Sequence, residues 1–517
     1  MSHSSSGDRF TEILRRDALA PFFWARKLPD RIESKGIPQC FLGHRLTNGD
    51  GIFADWDWDG QRLHIRNDRY GFLPLYYFVS PFEIGVSPSI SRLLSLGASS
   101  DLDDGAMSVF LRVGYMLGED TPFKEIRNLP PGADFSWDGE LQKRPGGLWT
   151  GKRQELGRED ALDGYISLFR AAMGKRPPTQ EDFVMPLTGG KDSRHIVLEL
   201  CERGHKIGSC VTMKHFPPRP NDDAEIAAEL TALLDLDHIV LPQPETRFEA
   251  ELRKNIRTNF CSDEHQWSIA LADYLIGRTN CIYDGLAGDI LTSSNLQTIE
   301  HLHLFAACDF ETLARKLMRQ TESAANVVQG FRYRAMNREL AVEKLSNELK
   351  RHANAPNPIS SYYFWNRTRR EIALIPYCIL RDIPTVYTPF LDHDLYDFLS
   401  SLPGEMVIGT DFHAAAIKRG YPRFANLRFQ DRKTPPCPNF PFYRSFAFQA
   451  MRYVLEERST LLRKSYVVPR LLRCMIDEEY SDSVNWLAPL SIYLLQLEEL
   501  TGTCLDFPSG YGPVLHD

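Results

Sequence analysis

A glycine-rich turn between a predicted strand and a predicted helix is the strongest chemical signal in this 517-residue sequence. The turn, Leu187-Thr-Gly-Gly-Lys-Asp-Ser193, contains two adjacent glycines that would let the backbone approach phosphate oxygens. The amides of such a turn and of the following helix N-terminus form an anion site, although an ordinary turn is the alternative. A carboxylate beside a polyphosphate requires a Mg²⁺ ion between them, so Asp192 is also a predicted metal ligand. The predicted phosphate-binding residues are Thr188, Gly189, Gly190, Asp192 and Ser193.

A second segment, residues 282–289, also runs from a predicted strand into a glycine-rich turn. At the carboxyl end of a parallel strand, this turn would face the first loop across the same edge of the sheet. We therefore expect Gly285 to contact the phosphates and Asp289 to be the second Mg²⁺ carboxylate. The alternative for Asp289 is a helix-capping role in a tight turn.

Three polar residues beside the first loop are predicted to lie outside the chemistry. Arg194 and His195 follow the loop directly, just past the first turn of the predicted helix, where side chains more often face solvent or cap the helix. Lys191 is predicted to be exposed. Contact with phosphate is the alternative for Arg194 and His195.

The elements before these loops have a β-rich texture. From about residue 38 to 140, short segments alternate in character and are separated by turn signals such as Asp59-Gly60 and Asp138-Gly139. This pattern predicts antiparallel hairpins. The polar stretch from Gln142 to about Glu159 contains Pro and Gly and predicts a linker.

From residue 160 onward, apolar strands alternate with amphipathic helices. One predicted helix covers residues 222–234 and has Ile226, Leu230 and Leu233 on one face. Strands that alternate with helices predict a parallel, doubly wound sheet. The chain after residue 300 is predicted to be mainly helical.

Bulk properties exclude several classes of protein. The length predicts two domains, and a net charge of −8 without a Lys/Arg block does not support a nucleic-acid-binding surface. No stretch of roughly 18 apolar residues occurs, and the polar N-terminus has no apolar core of a secretory signal. The ten cysteines show no metal-ligand spacing, so they are predicted to be reduced thiols of a cytoplasmic protein without a membrane segment.

In the order of its β-rich region, its α/β region and its two glycine-rich turns, the chain resembles asparagine synthetase over nearly its whole length. The first loop resembles the S-G-G-x-D-S loop of the ATP pyrophosphatases, with Thr188 in place of the first Ser. Six segments match that family's motifs in the same order along the chain. They are 67–77, 128–132, 188–193, 285–289, 388–392 and 432–433.

The resemblance implies a fold of two domains. Residues 1–150 would form an α+β domain like the N-terminal-nucleophile (Ntn) glutamine amidotransferases, and residues 156–517 an α/β ATP-pyrophosphatase (adenine nucleotide α-hydrolase-like) domain with a helical C-terminal part. The implied cofactors are ATP and Mg²⁺. Lys433 lies in the basic motif near the family's reaction centre, where a cation would stabilise charge at the α-phosphate, and a surface lysine is the alternative.

Departures from the family pattern modify this expectation. The glutaminase nucleophile is a Cys that follows the initiator Met, but position 2 here is Ser, and the next apolar segment, residues 10–14, is predicted to be helical. Asp284-Gly-Leu-Ala stands where the family carries S-G-E-G, and Ile290 replaces a Glu. Relatives that lack the Cys include β-lactam synthetase and the lasso peptide cyclases, so the amidotransferase domain is predicted to be degenerate.

The predicted activity is therefore that of a C–N ligase that converts ATP to AMP and pyrophosphate. It would activate a small-molecule or peptide carboxylate as an acyl-adenylate for attack by an amine, without glutamine hydrolysis, and a homodimer is a candidate assembly. One alternative is an asparagine synthetase-type enzyme that uses free ammonia. An alternative of another class is a catalytically silent scaffold or regulator.

Overall fold

Two antiparallel five-stranded sheets form the N-terminal part of the protein. The computed structural model describes residues 20–148, 151–292, 296–319, 322–430 and 434–502. The sheets have strand orders β2-β1-β7-β6-β8 and β10-β9-β5-β4-β3, and side chains such as Trp56 and Phe135 fill a core that they share. The strands are β1 (Phe23–Lys27), β2 (Ile32–Gly36), β3 (Gln39–Arg45), β4 (Gly51–Trp58), β5 (Leu63–Asn67), β6 (Tyr76–Val79), β7 (Glu83–Ser87), β8 (Arg127–Asn128), β9 (Asp134–Trp137) and β10 (Leu141–Arg144).

The predicted hairpin turns are confirmed. Gly60 has a φ of +99°, and Asp59 Oδ1 accepts hydrogen bonds from the Gln61 and Arg62 amides at 2.8 and 2.7 Å. The glycine and the aspartate together close the β4–β5 connection, because glycine adopts positive φ without steric cost. Asp138-Gly139 lies between β9 and β10 in the same way.

The boundaries of the β-rich region differ from the prediction at both ends. Strands begin at Phe23 and not near residue 38, and β10 occupies the start of the predicted linker. β2 and β10 are edge strands whose side chains are largely exposed, so they carry charges and lack the apolar alternation on which the prediction relied. The predicted helix over residues 10–14 lies outside the described residues.

Parallel strands form the second part of the molecule, as predicted. β11 (Phe183–Pro186), β12 (Ile207–Met213) and β13 (His238–Leu241) pair in parallel and in that order, while β14 (Cys281–Tyr283) pairs in parallel with β15 (Thr385–Tyr387). β14 packs beside β11. The carboxyl ends of β11 and β14 therefore lead into the two glycine-rich turns at one edge.

The helix predicted over residues 222–234 has those bounds in the structure. It begins after Asn221, with three acidic residues in its first turn, and ends at Asp235, whose φ of +55° is left-handed. Ile226 and Leu230 are buried, but Leu233 is 53% exposed, so its placement on the buried face was wrong. The apolar stripe is narrower than the sequence pattern indicated.

The chain after residue 300 is mainly helical, as predicted. Residues 364–372 and 375–379 are π-helical, and no helix among the described residues is long and apolar enough to cross a membrane. The α-helices are α1 (Ile90–Ser95), α2 (Asp104–Val113), α3 (Arg158–Gly174), α4 (Asp192–Glu202), α5 (Asp222–Leu234), α6 (Phe248–Arg257), α7 (Ile269–Leu275), α8 (Gly288–Thr292), α9 (Ile299–Ala306), α10 (Phe310–Leu317), α11 (Ser323–Val327), α12 (Gly330–Ala335), α13 (Arg338–Lys350), α14 (Pro358–Tyr363), α15 (His393–Ser401), α16 (Gly404–Val407), α17 (Phe412–Gly420), α18 (Phe440–Glu456), α19 (Lys464–Ile476), α20 (Glu478–Ser481) and α21 (Val484–Gly502).

A buried polar interface joins the two parts. Arg369, in the π-helical segment, donates to the carbonyls of Gly71 and Gly118 at 3.2 and 3.1 Å. Arg176 lies between Asp392 (2.8 Å) and Asp50 (3.4 Å), and all three side chains are buried. These contacts hold the N-terminal sandwich in a defined position against the parallel strands.

Candidate active site

The first glycine-rich loop connects β11 to α4, and its polar groups bond to one another. The Thr188 amide donates to Ser193 Oγ at 3.1 Å, and the Gly190 amide donates to Thr188 Oγ1 at 3.2 Å. The two hydroxyl oxygens are themselves 3.1 Å apart. Asp192 is the first residue of α4. These five predicted phosphate-binding residues are thus brought together in one turn, and the Thr188 and Gly190 amides are bonded within it.

Asp223 supports the loop from the side, a role that the sequence analysis missed. Its Oδ1 accepts the Gly189 amide at 2.8 Å, and its Oδ2 lies 3.1 Å from His215 Nε2. Although burial opposes ionisation, the hydrogen bonds from His215 and Gly189 hold the pKa of Asp223 below its usual value. A carboxylate at the N-terminus of α5 carried a helix-capping signal only, so no local pattern identified this contact.

The second glycine-rich loop lies directly against Asp192. A Cβ atom at Gly285 would lie 2.4 Å from Asp192 Cβ, and one at Gly288 would lie 2.4 Å from Asp192 Oδ1. Neither distance is possible for a real side chain, so these two positions require glycine for packing. The two loops are in contact, as their positions after parallel strands predict.

Carboxylates gather where the loops meet. The pKa of Asp192 is raised well above its usual value because the group is buried and lies close to the carboxylates of Asp289 and Asp284. Burial also raises the pKa of Asp284 to about 6. Asp192 Oδ1 is buried and has no hydrogen-bond partner among the described residues, and Asp289 is exposed. A divalent cation fits this donor set, because it would offset the repulsion that the three carboxylates create.

A tighter group of carboxylates lies elsewhere. Ligand atoms of Asp263, Glu264 and Glu371 all fall within 4.8 Å of one another. Arg319 pairs with Asp263 at 2.5 Å, and Arg367 pairs with Glu371 and Glu264 at 3.0 and 3.4 Å. Guanidinium groups already neutralise most of this charge, so we treat it as an ion-pair network.

Arg194 and His195 are both buried, so the prediction that they face solvent is wrong. Arg194 Nη2 donates to the Arg428 carbonyl at 2.6 Å, and Nη1 donates to the Leu427 carbonyl at 3.3 Å. Arg194 therefore attaches a late segment of the chain to α4. His195 stacks on Phe169 with a ring separation of 3.7 Å and belongs to the core behind the loop.

Lys433 and Arg432, the predicted basic motif, lie outside the described residues. The residues on either side are fixed to the first loop and to α5. The Gln430 amide donates to the Gly189 carbonyl at 3.0 Å, and Thr434 Oγ1 donates to Asp222 Oδ2 at 3.1 Å.

Two motifs of the resemblance have structural functions here. Asp68, in the 67–77 segment, accepts backbone hydrogen bonds from Phe53 (3.0 Å), Tyr70 (2.7 Å) and Gly71 (3.1 Å). Burial nonetheless raises the pKa of Asp68 to about 6. Asp392, in the 388–392 segment, is part of the interface with Arg176. Asp68 thus holds a turn within the N-terminal part, whereas Asp392 belongs to the interface between the two parts of the chain.

Comparisons with known proteins agree with the N-terminal architecture. Residues 41–144 match the family model of the glutamine amidotransferase domain. The amidase chyE of Penicillium rubens is 25% identical over 238 residues, which is 40% of this chain and 34% of chyE. The chain thus spans about a third of the length of that relative. Residues 41–144 are thus similar to a glutamine amidotransferase domain.

Proposed function

We propose that this protein is an ATP-dependent, AMP-forming amide-bond synthetase of the asparagine synthetase type that does not hydrolyse glutamine. The observation that carries the proposal is the contact between Asp192 and the 285–289 turn. It brings two glycine-rich loops and three carboxylates to the carboxyl edge of the parallel strands. An edge of this kind is where α/β proteins bind nucleotides.

The loops have distinct tasks in this proposal. Asp192 and Asp289 would hold Mg²⁺, which when bound would neutralise charge on the phosphates. Because the Gly189 and Gly190 amides already have partners, nucleotide binding exchanges the bonds to Asp223 and Thr188 for bonds to phosphate oxygens. The residues assigned to the pyrophosphate part of ATP are Thr188, Gly189, Gly190, Asp192, Ser193 and Gly285.

The proposed reaction has two steps. A substrate carboxylate oxygen attacks the α-phosphorus, and the bond to the bridging oxygen breaks, so that pyrophosphate leaves and an acyl-adenylate remains. An amine nitrogen then attacks the acyl carbon and loses a proton, and AMP leaves with the former carboxylate oxygen. Lys433 is proposed to stabilise the charge that develops at the α-phosphate.

The proposed nitrogen source is an amine of the substrate. Residue 2 is Ser, and Cys40 is the only cysteine between residues 20 and 148. Burial, together with the Asp55 charge, raises the pKa of the Cys40 thiol to about 12, so it is not a thiolate at neutral pH. These features favour a substrate amine or free ammonia over glutamine.

Pyrophosphate exchange tests the proposal. The full chain, with ATP, Mg²⁺ and labelled pyrophosphate, should incorporate label into ATP in the presence of some member of a carboxylate panel. Full turnover should give AMP and pyrophosphate by chromatography. ADP and phosphate as products would overturn the assignment, and a lack of exchange with every carboxylate would favour the silent scaffold. Synthesis that depends on added ammonium alone would favour the ammonia-using enzyme.

A further inference from the structure

A chain of buried polar side chains lies behind Asp192, and the proposed chemistry does not use it. His413 Nδ1 is 2.9 Å from Thr292 Oγ1 and 3.3 Å from Asp192 Oδ1. On the other side of the ring, His413 Nε2 is 3.3 Å from His195 Nδ1, which in turn lies 3.3 Å from the Tyr165 hydroxyl. His413, His195, Thr292 and Tyr165 are all inaccessible to solvent.

The direction of each hydrogen bond follows from one contact. Thr292 Oγ1 donates its proton to the Gly288 carbonyl at 2.6 Å, so it can only accept from His413. His413 must therefore carry its proton on Nδ1, where it is bonded to Thr292, and Asp192 Oδ1 lies 3.3 Å from the same nitrogen without a hydrogen bond to it. A neutral imidazole then has a bare Nε2, which accepts from His195 Nδ1. His195 Nε2 has no hydrogen-bond partner among the described residues, which is compatible with a proton on His195 Nδ1.

This chain connects three elements that are distant in sequence. Asp192 begins α4, Thr292 ends α8 after the second loop, and His413 belongs to α17. Gly288 packs against Asp192 Oδ1 from the second loop, since a Cβ at Gly288 would lie 2.4 Å from that oxygen. Oδ1 is thus enclosed, although 26% of the Asp192 side chain remains exposed.

We propose that His413 is a positioning residue: its Nδ1–H holds Thr292 behind the second loop, and the positive edge of the ring, 3.3 Å from Asp192 Oδ1, keeps that oxygen against the loop and leaves Oδ2 for the divalent cation. This inference rests on the proposed function. Groups that orient a metal-binding side chain in this way commonly affect metal affinity by about 10- to 100-fold.

Two substitutions of similar polarity separate positioning from packing. In His413→Asn the side-chain amide nitrogen takes the place of Nδ1 and keeps the donor near Asp192. In His413→Gln it takes the place of Nε2, and the donor near Asp192 is lost. Binding of Mn²⁺ with ATP, measured by electron paramagnetic resonance, reports metal affinity without any turnover. We expect a loss of about 10- to 100-fold for the Gln variant and a loss of no more than about 3-fold for the Asn variant.

A matched control is His352→Gln. His352 is also fully buried and has three polar neighbours, Ser361 Oγ at 2.9 Å, Glu348 Oε1 at 3.3 Å and Asn366 Nδ2 at 3.4 Å. This variant should lose thermal stability but keep the Mn²⁺ affinity of the unmodified protein. If the unmodified protein does not bind Mn²⁺ with ATP, the proposed function fails. If it does bind, but the Asn and Gln variants of His413 are equal or the His352 variant is as weak as His413→Gln, the inference is overturned and the proposed function stands.

Discussion

The guanidinium of Arg369 donates a 2.8 Å hydrogen bond to the backbone carbonyl of Leu129, in the other part of the chain. With the two further carbonyls of Gly71 and Gly118, it makes three such bonds. Burial, together with the neighbouring Arg370, lowers the pKa of Arg369 to about 9. Backbone dipoles therefore replace water around a buried cation, and the N-terminal domain provides them.

Removing this cation should weaken the interface. Arg369→Met leaves three buried carbonyls without their donor, so the free energy of unfolding in urea should fall by about 2–4 kcal/mol. Arg62→Met, at an exposed pair with Asp138, should change it by less than about 0.5 kcal/mol. Equal effects of the two substitutions would contradict the assigned role of Arg369.

Deleting residues 1–150 should give aggregated protein by size-exclusion chromatography. The deletion uncovers the surface around Arg369 and Asp392 that the sandwich buries. A monodisperse truncated chain would show that the N-terminal domain is dispensable for folding.

Substituting either proposed metal ligand should abolish adenylation without loss of stability. Asp192→Asn and Asp289→Asn should each lower the pyrophosphate-exchange rate at least 100-fold, about 3 kcal/mol of barrier. Asp192→Asn should fold at least as stably as the unmodified protein in metal-free buffer, since the carboxylates of Asp289 and Asp284 disfavour its charge. The exposed Asp160→Asn serves as the control. Near-normal exchange in either variant would exclude that residue as a ligand.

The contact between the loops should not tolerate even a methyl group. Gly285→Ala and Gly288→Ala each place a Cβ 2.4 Å from an atom of Asp192, so both should lose exchange activity and melt at lower temperature. Gly330→Ala, at the start of α12 with no atom within 4 Å of the added Cβ, should be neutral or stabilising. Retention of activity in both loop variants would mean that the loops separate in solution.

Glutamine should not be a nitrogen source. The purified protein should release no glutamate from glutamine, with or without ATP, because Cys40 is not a thiolate at neutral pH and residue 2 is Ser. Ser2→Ala should leave pyrophosphate exchange unchanged. Steady glutamate release that Ser2→Ala abolishes would restore an ordinary glutamine-dependent synthetase.

Glu499 and Glu498 should contribute to the free energy of unfolding with opposite dependences on pH. Burial and Glu457 raise the pKa of Glu499 to about 8 from the ordinary 4.5, so its contribution is complete below pH 4.5 and is lost as pH rises through 8. Despite burial, hydrogen bonds from Ser459 and Thr460 lower the pKa of Glu498, so its contribution is present above pH 4.5 and is lost as pH falls. Urea unfolding at pH 5 and 9 should show Glu499→Gln relatively more stable at pH 9. An unchanged pH profile in this variant would contradict the assignment.

The meeting of the two loops could be predicted from sequence because both follow parallel strands, and the bounds of α5 because acidic residues mark its start. The contacts that support the loops from behind could not be predicted from sequence. His413 and Asp223 reach the site through tertiary packing, and neither lies in a pattern that differs from an ordinary helix. β2 was missed because charged side chains on an exposed edge conceal the period of two, and β1, an internal strand, was missed because its first three side chains are all buried and do not alternate.

The close fit of Gly285 and Gly288 against Asp192 also constrains the order in which a lineage of such proteins can change. A side chain at position 288 becomes acceptable only after position 192 has given up its carboxylate, and one at position 285 only after position 192 has lost its Cβ as well. Either change would remove a proposed metal ligand. Substitutions at the three positions are thus epistatic, although they are far apart in the chain. Directed evolution toward new substrates should randomise other positions, or all three of these together.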